Sequence, residues 1–485
     1  MNDIRKLKPE TLWSYFHDIT QIPHPSKKEE KIVEYMREFG KKHNLETVVD
    51  KTGNVVIRKP ATKGMENRKG VILQAHLDMV PQKNSDKKHD FEKDPIETVI
   101  DGEWVKAGGT TLGSDNGIGV AAALTLLASD NIPHGPVEAL FTVDEETGMT
   151  GAFGLTKGLL KGDILLNLDS EDEGELYVGC AGGVDVVARK GYAQEKCPAG
   201  MEAFRITAKG LKGGHSGIDI PLGRANANKI MFRFLMQAES DFGIRIAEAQ
   251  GGDLRNAIPR ESHSIVVLPE IKASEFRKFV KEYEKMYRAE FSDTEPDLSF
   301  SLEKVELPAR VMNQGEQYRI IRALYACPNG VQRMSQAMKG LVETSNNLAI
   351  VRVAEGKFET YNLTRSSVDS AKEATAWKIA AVFHLIGADV SQSGSYPGWK
   401  PDMASPILKT MSEVYNRMYG KVPEVKAIHA GLECGIIGGV YKNLDMISFG
   451  PTIRHPHSPD EKVHVPSVKK FFDYLCETLK SVPVK

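Results

Sequence analysis

The sequence is short of the features that mark several classes of protein. Its five cysteines, at positions 180, 197, 327, 434 and 476, include no C-x-x-C pair. An odd and widely spaced set is typical of reduced thiols, not of a disulfide framework. The longest apolar run, from Val120 to Ala128, is less than half of the about 20 residues that a membrane helix needs. The N-terminus has basic residues with no apolar segment behind them, so we expect a cytoplasmic protein without a secretory signal or a membrane partner.

An excess of one charge is missing as well. The chain has 63 Lys and Arg against 65 Asp and Glu, which leaves a net charge of −2. This balance argues against the broad basic surface that binds nucleic acid, so no nucleic-acid partner is expected. What is present is the composition of an ordinary globular protein, with 41% apolar and 26% charged residues. At about 150 residues per domain, the length indicates two to four domains.

Two architectures alternate along the chain. Short apolar strands (VILQA from 71, VEALFTV from 137, ILLNL from 164 and MISF from 446) alternate with helices, which is typical of an α/β fold with buried strands. Between about 192 and 394, strands with one apolar face alternate with charged helices, which predicts an α+β domain with an antiparallel sheet. We therefore expect an α/β catalytic domain with a mixed central sheet flanked by helices, residues 1–190 and 394–485, and an inserted α+β domain, residues 191–393.

Two helices are predicted near the N-terminus. Apolar residues recur at helical spacing between 11 and 43, and Pro23 and Pro25 separate the two runs. Ser26 and Glu29 match the S-x-x-E pattern of a capping box, in which each side chain accepts a backbone N–H of the other residue. We expect this pair to cap the start of the second helix.

Each strand of the α/β part runs into a residue that can bind a metal. His76 follows VILQA, Glu145 and Glu146 follow VEALFTV, Asp169 follows ILLNL, and MISF leads through GPTIRHP to His457. Ligands of open α/β sheets bind beyond the carboxyl ends of the strands, so these residues are expected to converge. Imidazole and carboxylate groups suit zinc or a similar divalent ion.

Neighbouring residues suggest further roles. Asp78 lies two residues after His76, on the same side of an extended chain, where it can orient the imidazole. Of the adjacent Glu145 and Glu146, one can bind the metal while the other stays free as a general base; a solvated acidic turn is the alternative. Asp115 is either the N-cap of an Ala-rich helix or the carboxylate that bridges two metals. The spacing alone leaves these alternatives open.

Five motifs together carry a resemblance to a known family. HLD from 76, SDNG from 114, DEETG from 144, NLDS from 167 and HSPDE from 457 resemble, in order and spacing, the M20 family of co-catalytic zinc peptidases. KGLKGGHSG, LRNAIPRE, YPGWKPD and HAGLECG resemble the members of this family that hydrolyse Xaa-His dipeptides, and the likeness covers essentially the full length. It implies a zinc-peptidase-like catalytic domain with two Zn²⁺ per chain, which Co²⁺ or Mn²⁺ can replace, and a homodimer.

The resemblance also implies a role for each residue of the centre. One metal would be bound by His76 and Asp169, the other by Glu146 and His457, with Asp115 as the bridge, Asp78 orienting His76, and Glu145 deprotonating the water held between the metals. A cis peptide bond is implied after Asp115. The sequence departs from the pattern at His455, a second imidazole two residues before His457. The HSPDE motif favours His457 as the ligand.

The inserted domain would be a lid that grips the substrate and mediates dimerisation. The resemblance implies that His215, in GGHSG, stabilises the oxyanion. Asn256 and Arg365 match positions that hold the substrate backbone or carboxylate, a task that suits the fork of an arginine. Glu433, in HAGLECG, is the candidate for the substrate amine; a carboxylate in a glycine-rich turn is the alternative. Whether His215 serves its own chain or a partner stays open.

Other functions fit the motifs less well. GIGVAA from 117 satisfies the dinucleotide pattern G-x-G-x-x-A, but no strand immediately precedes it, so a tightly packed helix start is favoured. GHSGI from 214 lacks the last glycine of a G-x-S-x-G elbow, and H-E-x-x-H is absent. The sequence therefore predicts a dizinc dipeptidase acting on Xaa-His dipeptides such as β-alanyl-histidine. The alternatives are a related amidohydrolase or tripeptidase of the same fold, and a two-domain binding protein without catalytic activity.

Overall fold

The computed structural model describes residues 3–485, which form two compact units. The first unit runs to Gly179 and continues in Pro401–Ala427 and Leu432–Lys485; the second comprises Cys180–Lys400 and Ile428–Gly431. The sequence predicted the boundaries at 190/191 and 393/394. The chain enters the second unit earlier because the strand Gly182–Gly191 pairs within the sheet of that unit. Within the described residues, none of the helices has the length and apolar character to cross a bilayer.

The helices and strands are numbered in chain order. The helices are α1 Glu10–Thr20, α2 Glu30–Lys42, α3 Ser114–Ala128, α4 Glu145–Gly148, α5 Thr150–Gly154, α6 Ala227–Phe242, α7 Ala273–Glu290, α8 Gln314–Ala326, α9 Asp369–His384, α10 Pro406–Tyr419, α11 Glu433–Val440 and α12 Val465–Ser481. The strands are β1 Glu46–Val49, β2 Val55–Lys59, β3 Val71–His76, β4 Thr98–Asp101, β5 Trp104–Ala107, β6 Val137–Thr142, β7 Ile164–Asn167, β8 Glu175–Cys180, β9 Gly182–Gly191, β10 Gln194–Lys196, β11 Met201–Lys209, β12 Gly214–His215, β13 Arg245–Gly251, β14 Ala257–Ile258, β15 Ser262–Pro269, β16 Ser299–Val305, β17 Arg310–Met312, β18 Gly330–Met334, β19 Val342–Ala354, β20 Lys357–Ser366, β21 Asp389–Tyr396, β22 Glu424–Ile428, β23 Asp445–Ser448, β24 Ile453–Arg454 and β25 Lys462–His464.

The first unit is built on a mixed eight-stranded sheet. Its order is β1-β2-β6-β3-β7-β23-β8-β22. β3 is parallel to both β6 and β7, and β23 is parallel to β7, whereas β1, β2 and β8 add antiparallel pairs. Every residue of β3, β6 and β7 is buried, and strands covered on both faces read as continuous apolar runs. The predicted mixed central sheet flanked by helices is confirmed.

The register of the parallel strands brings their carboxyl ends to one edge. His76 of β3 lies opposite Thr142 of β6, and Gln74 of β3 lies opposite Asn167 of β7. The residues that follow these strands therefore leave the sheet at the same edge, where ligands of α/β sheets bind. This register positions the candidate metal centre.

The capping-box prediction for α2 is wrong. The helix begins at Glu30, so Glu29 is its N-cap and not its third residue, and no side chain caps the start. The Ser26 hydroxyl donates instead to Asp78 Oδ2 at 2.7 Å. Glu29 Oε1 accepts the backbone N–H groups of Lys27 and Asp144, at 2.9 and 3.0 Å. Both side chains are therefore used outside the helix that the pattern assigned them to.

The second unit is an α+β structure on an antiparallel sheet, as predicted. The sheet order is β16-β11-β15-β13-β19-β20-β9-β21, with β18 beside β19. Helices α6 to α9 pack apolar side chains against the sheet in one core that includes Phe204, Phe234, Phe276 and Phe300. The rings of Phe234 and Phe300 meet edge to face at 5.0 Å, a favourable arrangement for aromatic pairs.

The glycines of GIGVAA are packing positions at the start of α3. A Cβ at Gly117 would lie 2.9 Å from the Phe16 ring. At Gly119 it would lie 2.2 Å from Asn116 Oδ1 and 2.7 Å from the Leu168 carbonyl oxygen. Helix α3 can approach its neighbours this closely only because these two positions have no side chain. This agrees with the interpretation of GIGVAA as a tightly packed helix start.

Replacing Gly119 by alanine should destabilise the protein. The Leu168 carbonyl belongs to the backbone and cannot yield easily, so we expect Gly119→Ala to cost about 1–3 kcal/mol of unfolding free energy. Thermal unfolding followed by circular dichroism would measure the loss. Gly438→Ala is the matched control, because its Cβ would meet only the flexible Met446 side chain. Equal melting temperatures for the two variants would contradict the packing argument.

Candidate metal centre

The five predicted metal ligands lie together in the first unit. His76 Nε2 is 3.2 Å from Asp115 Oδ1 and 3.4 Å from Asp169 Oδ1. His457 Nε2 is 3.3 Å from Asp115 Oδ2 and 3.0 Å from Glu146 Oε2. Asp115 thus offers one oxygen to each group and joins them. The peptide bond from Asp115 to Asn116 is cis, as the family resemblance implies.

The donor set and its spacing fit two divalent cations. Zinc binds nitrogen and oxygen ligands at about 2.0–2.2 Å, so two tetrahedral ligands lie about 3.4 Å apart. The separations of 3.0 to 3.4 Å within each group are close to that value. Glu146 Oε1 is buried without a hydrogen-bond partner among residues 3–485, and a cation would satisfy it. Among the four clusters of His and carboxylate groups that could hold a metal in the described residues, two share Asp115: His76, Asp115 and Asp169, and Asp115, Glu146 and His457.

Asp115 and the two imidazoles of the centre hold one another in charged forms. Hydrogen bonds with Asp115 and Glu146 raise the pKa of His457 to about 11. Burial acts to lower the pKa of His76, but the charge of Asp169 and the bond with Asp115 outweigh it and raise that pKa. Burial acts to raise the pKa of Asp115, and the two imidazoles bring it far below its usual range. Metal binding must displace the imidazole protons, so the metal affinity will depend on pH.

The structure brings His457, and not His455, to the centre. Among the described residues, the candidate ligand groups include His457 alone of the two. Both histidines have positive φ angles, 56° and 59°, and these turn the chain between β24 and β25. Residue spacing could not distinguish the two imidazoles, because the direction of each side chain depends on this turn.

Glu145 begins α4 beside the centre and has an environment that favours its protonated form. Burial raises the pKa of its carboxyl well above the usual range; the nearby His76 opposes this, and the negative charges of Asp169, Glu433 and Glu146 add to it. A bound cation would lower this pKa again. A carboxyl group that lies beside the candidate ligand groups suits a general base.

Asp78 links His76 to the turn that carries the two glutamates. Its Oδ1 accepts the Glu145 N–H at 2.9 Å, and its Oδ2 accepts the Glu146 N–H at 3.2 Å. His76 Nδ1 lies 3.0 Å from the Asp78 carbonyl oxygen and 3.4 Å from Oδ1, so a proton on Nδ1 leaves Nε2 for the metal. Burial acts to raise the pKa of Asp78, but bonds from His76, the Glu145 N–H and Ser26 lower it to about 2.

Glu433 is the first residue of α11 and is buried under the strand ends. Only 1% of its surface is exposed. Its Oε2 accepts hydrogen bonds from Gln74 Nε2 at 2.6 Å and Thr142 Oγ1 at 2.8 Å. Its Oε1 has no hydrogen-bond partner in the described part of the chain. Burial raises the pKa of Glu433 to about 7.

His215, predicted to stabilise the oxyanion, and Asn256, predicted to bind the substrate, lie near each other at two short paired strands of the second unit. His215 of β12 pairs with Ala257 of β14, and the Ser216 N–H donates to the Asn256 carbonyl oxygen at 2.8 Å. The Asn256 side chain is exposed. His215 Nδ1 accepts the N–H groups of Gly217 and Ile218, at 3.2 and 3.0 Å. The imidazole proton must therefore lie on Nε2, which is left to donate.

Arg365 stands beside His215 with its guanidinium largely buried. Its Nη1 donates to the Tyr396 hydroxyl at 3.1 Å, and its Nη2 lies 3.4 Å from His215 Nε2. Burial and the nearby Arg365 charge lower the pKa of His215, which keeps the imidazole neutral. The two side chains thus present adjacent donors, which suits an oxygen-rich anionic ligand.

The sequence reasoning missed Glu461 as a residue that shapes the centre. Its carboxylate is 2% exposed and accepts the N–H groups of Leu112, Gly113, Ser114 and Asp115, together with the Ser114 hydroxyl, at 2.6 to 3.3 Å. Both oxygens are used, so the loop that presents the shared Asp115 is held by the segment that carries His457. The HSPDE motif marked this residue, but spacing did not reveal its partners.

Removing one oxygen of Glu461 should weaken both the fold and the metal centre. Glu461→Gln leaves buried N–H groups facing an amide, at a cost of about 1–3 kcal/mol, and should lower metal affinity about 10–100-fold through the displaced Asp115. Thermal unfolding and calorimetric zinc titration measure the two effects. The neighbouring exposed Asp460→Asn is the control. Unchanged zinc affinity in Glu461→Gln would refute the assigned role.

Comparison with known proteins identifies the family. The model of peptidase family M20/M25/M40 matches residues 72–481. The chain is 47% identical to the cytosol non-specific dipeptidase of Escherichia coli over all 485 residues of both proteins. The crystal structure of aminoacylhistidine dipeptidase from Vibrio alginolyticus superposes with a TM-score of 0.96 at 49% identity, over 99% of this chain and 98% of that one. Aminopeptidase PepT from Bacillus cereus shares the fold, with a TM-score of 0.57 at 17% identity over 98% of this chain and 99% of that one. This chain belongs to peptidase family M20/M25/M40.

Proposed function

We propose that this protein is a dipeptidase that binds two zinc ions and hydrolyses Xaa-His dipeptides, including β-alanyl-histidine. The observation that carries the proposal is the shared carboxylate of Asp115 between two ligand groups, with Glu145 beside them. The names of the two similar proteins support dipeptide hydrolysis, one naming an aminoacylhistidine dipeptidase and the other a non-specific dipeptidase. We further propose that the protein works in the cytoplasm as a homodimer.

The chemistry divides between the metals and the side chains. Two bound zinc ions would lower the pKa of the attacking water from 15.7 toward about 7 and polarise the peptide carbonyl. Glu145 takes one proton from this water as it attacks, and returns it to the amine nitrogen as the peptide C–N bond breaks. Asp78 keeps the proton of His76 on Nδ1 during both steps.

The remaining residues account for a substrate with two charged ends. His215 donates its Nε2 proton to the carbonyl oxygen as negative charge develops there. Arg365 pairs with the terminal carboxylate, and Asn256 holds the substrate backbone. Glu433, whose Oε1 lacks a partner within residues 3–485, receives the free amine.

A substrate panel tests the proposed function. Zinc-loaded protein should cleave β-alanyl-histidine and alanyl-histidine. It should leave N-acetyl-histidine intact because that compound has no free amine, and trialanine because its amine and its carboxylate are one residue farther apart. Liberated amino acids are measured by chromatography, and bound metal by mass spectrometry. Cleavage of acetyl-histidine would favour an amidohydrolase, and cleavage of trialanine a tripeptidase. Stabilisation by a dipeptide without turnover, or fewer than one metal per chain, would refute the proposal.

Substitutions of the two adjacent glutamates should affect activity and metal content differently. Glu145→Gln removes the proton acceptor and should lower kcat by about 10²–10⁴-fold while the protein keeps its metals. Glu146→Gln removes a ligand and should lose metal from one site. The exposed His455→Ala, which lies outside the candidate ligand groups, is the control and should keep both metals and activity. Equal metal loss in the two glutamate variants would contradict the division of roles.

A further inference from the structure

The loop between α1 and α2 is fastened to the chain just beyond β3. The Met79 N–H donates to the His24 carbonyl oxygen, and the Ser26 N–H donates to the Met79 carbonyl oxygen, both at 3.3 Å. Pro25 pairs with Met79 in a parallel bridge. The loop therefore lies along residues 78–79 like a short added strand. This contact brings the Ser26 hydroxyl to Asp78 Oδ2, at 2.7 Å.

Glu29 holds the residue that precedes the proposed general base. Its Oε1 accepts the Asp144 N–H at 3.0 Å. Asp144 has a φ of +54°, a left-handed conformation that a side-chain-bearing residue keeps only when its surroundings enforce it. The hydroxyls of Thr147 and Thr150 donate to its carboxylate. Asp144 is therefore fixed through both its backbone and its side chain. Its conformation sets the direction in which the chain continues from β6 to Glu145.

Helix capping does not explain the position of Ser26 and Glu29. The start of α2 has no side-chain cap, although both residue types serve well in one. Glu29 is instead 8% exposed and lies close to two other buried carboxylates, Asp78 and Asp144. Burying three carboxylates together costs free energy. Such a cost is typical of functional sites, where the local rules that favour stability are broken.

We propose that Ser26 and Glu29 are positioning residues for the hydrolysis, an inference that rests on the proposed function. Ser26 holds the Asp78 carboxylate, which in turn orients His76 and receives the N–H groups of Glu145 and Glu146. Glu29 holds the Asp144 backbone and thereby the start of α4. The two residues act through these neighbours, with no contact to the reacting atoms. The N-terminal loop thus sets the geometry of the general base and of two proposed metal ligands, His76 and Glu146.

Steady-state kinetics with paired variants tests this proposal. Glu29→Ala should lower kcat about 10–100-fold, because small displacements of a reacting group are costly, with KM within about twofold of the wild type. Glu29→Gln keeps the accepting oxygen and should restore most of the activity. Ser26→Ala should lower kcat about tenfold, and Ser26→Thr, which keeps the hydroxyl, should restore it. Glu30→Ala, at the exposed neighbouring position, is the control.

A second measurement does not depend on turnover. Cobalt-substituted Ser26→Ala should show an altered visible spectrum and about tenfold weaker cobalt binding, whereas Glu30→Ala should match the wild type. Wild-type kcat in folded Glu29→Ala, equal losses in Glu29→Ala and Glu29→Gln, or an unchanged cobalt spectrum in Ser26→Ala would each overturn the proposal. If Glu29→Ala does not fold, the comparison of Ser26→Ala with Ser26→Thr tests the proposal. A wild type without dipeptidase activity would refute the proposed function, while the cobalt spectra would still test the positioning role.

Discussion

The sharing of the Asp115 carboxylate between two imidazole-containing groups is the interaction on which the rest of the site depends. Its two oxygens face His76 on one side and His457 on the other, at 3.2 and 3.3 Å. Displacing it would separate the two ligand groups. The buried carboxylate of Glu461 accepts hydrogen bonds from four successive backbone N–H groups of the loop that presents Asp115. Hydrogen bonds to a charged acceptor are among the stronger ones in proteins.

Parallel pairing around β3 supplies the place where these side chains converge. Strands that are parallel and in register end at the same edge, and the residues beyond them need not be close in sequence to meet. Gathering these side chains at one edge costs free energy, because four of them are carboxyl groups with little access to water: Asp78, Glu145, Asp169 and Glu433. Their pKa values move in different directions: Asp78, which receives several hydrogen bonds, has a lowered pKa, while burial raises that of Glu433. Groups of one chemical type therefore gain different roles from their surroundings.

The second unit, taken by itself, places two hydrogen-bond donors side by side. His215 is held in one tautomer by two backbone N–H groups, and Arg365 lies beside it, braced by Tyr396. Preorganised donors of this kind act on negative charge without rearrangement. Carbonyl and carboxylate oxygens are the kind of group that such donors bind.

The sequence by itself determined the two architectures, the apolar strands of the first unit and the candidate ligand types at their ends. These features depend on local periodicity and on the residues directly after each strand. It could not determine the partners of Ser26, Glu29 and Glu461, which lie 52, 115 and 346 or more residues away. The local S-x-x-E pattern predicted that Ser26 and Glu29 cap a helix. In the folded chain they instead contact Asp78 and Asp144, next to the candidate metal centre. The HSPDE motif favoured His457 over His455, but the direction of that side chain and the tautomer of His215 depend on the folded structure, because turn geometry and backbone N–H groups set the direction and the protonation of an imidazole.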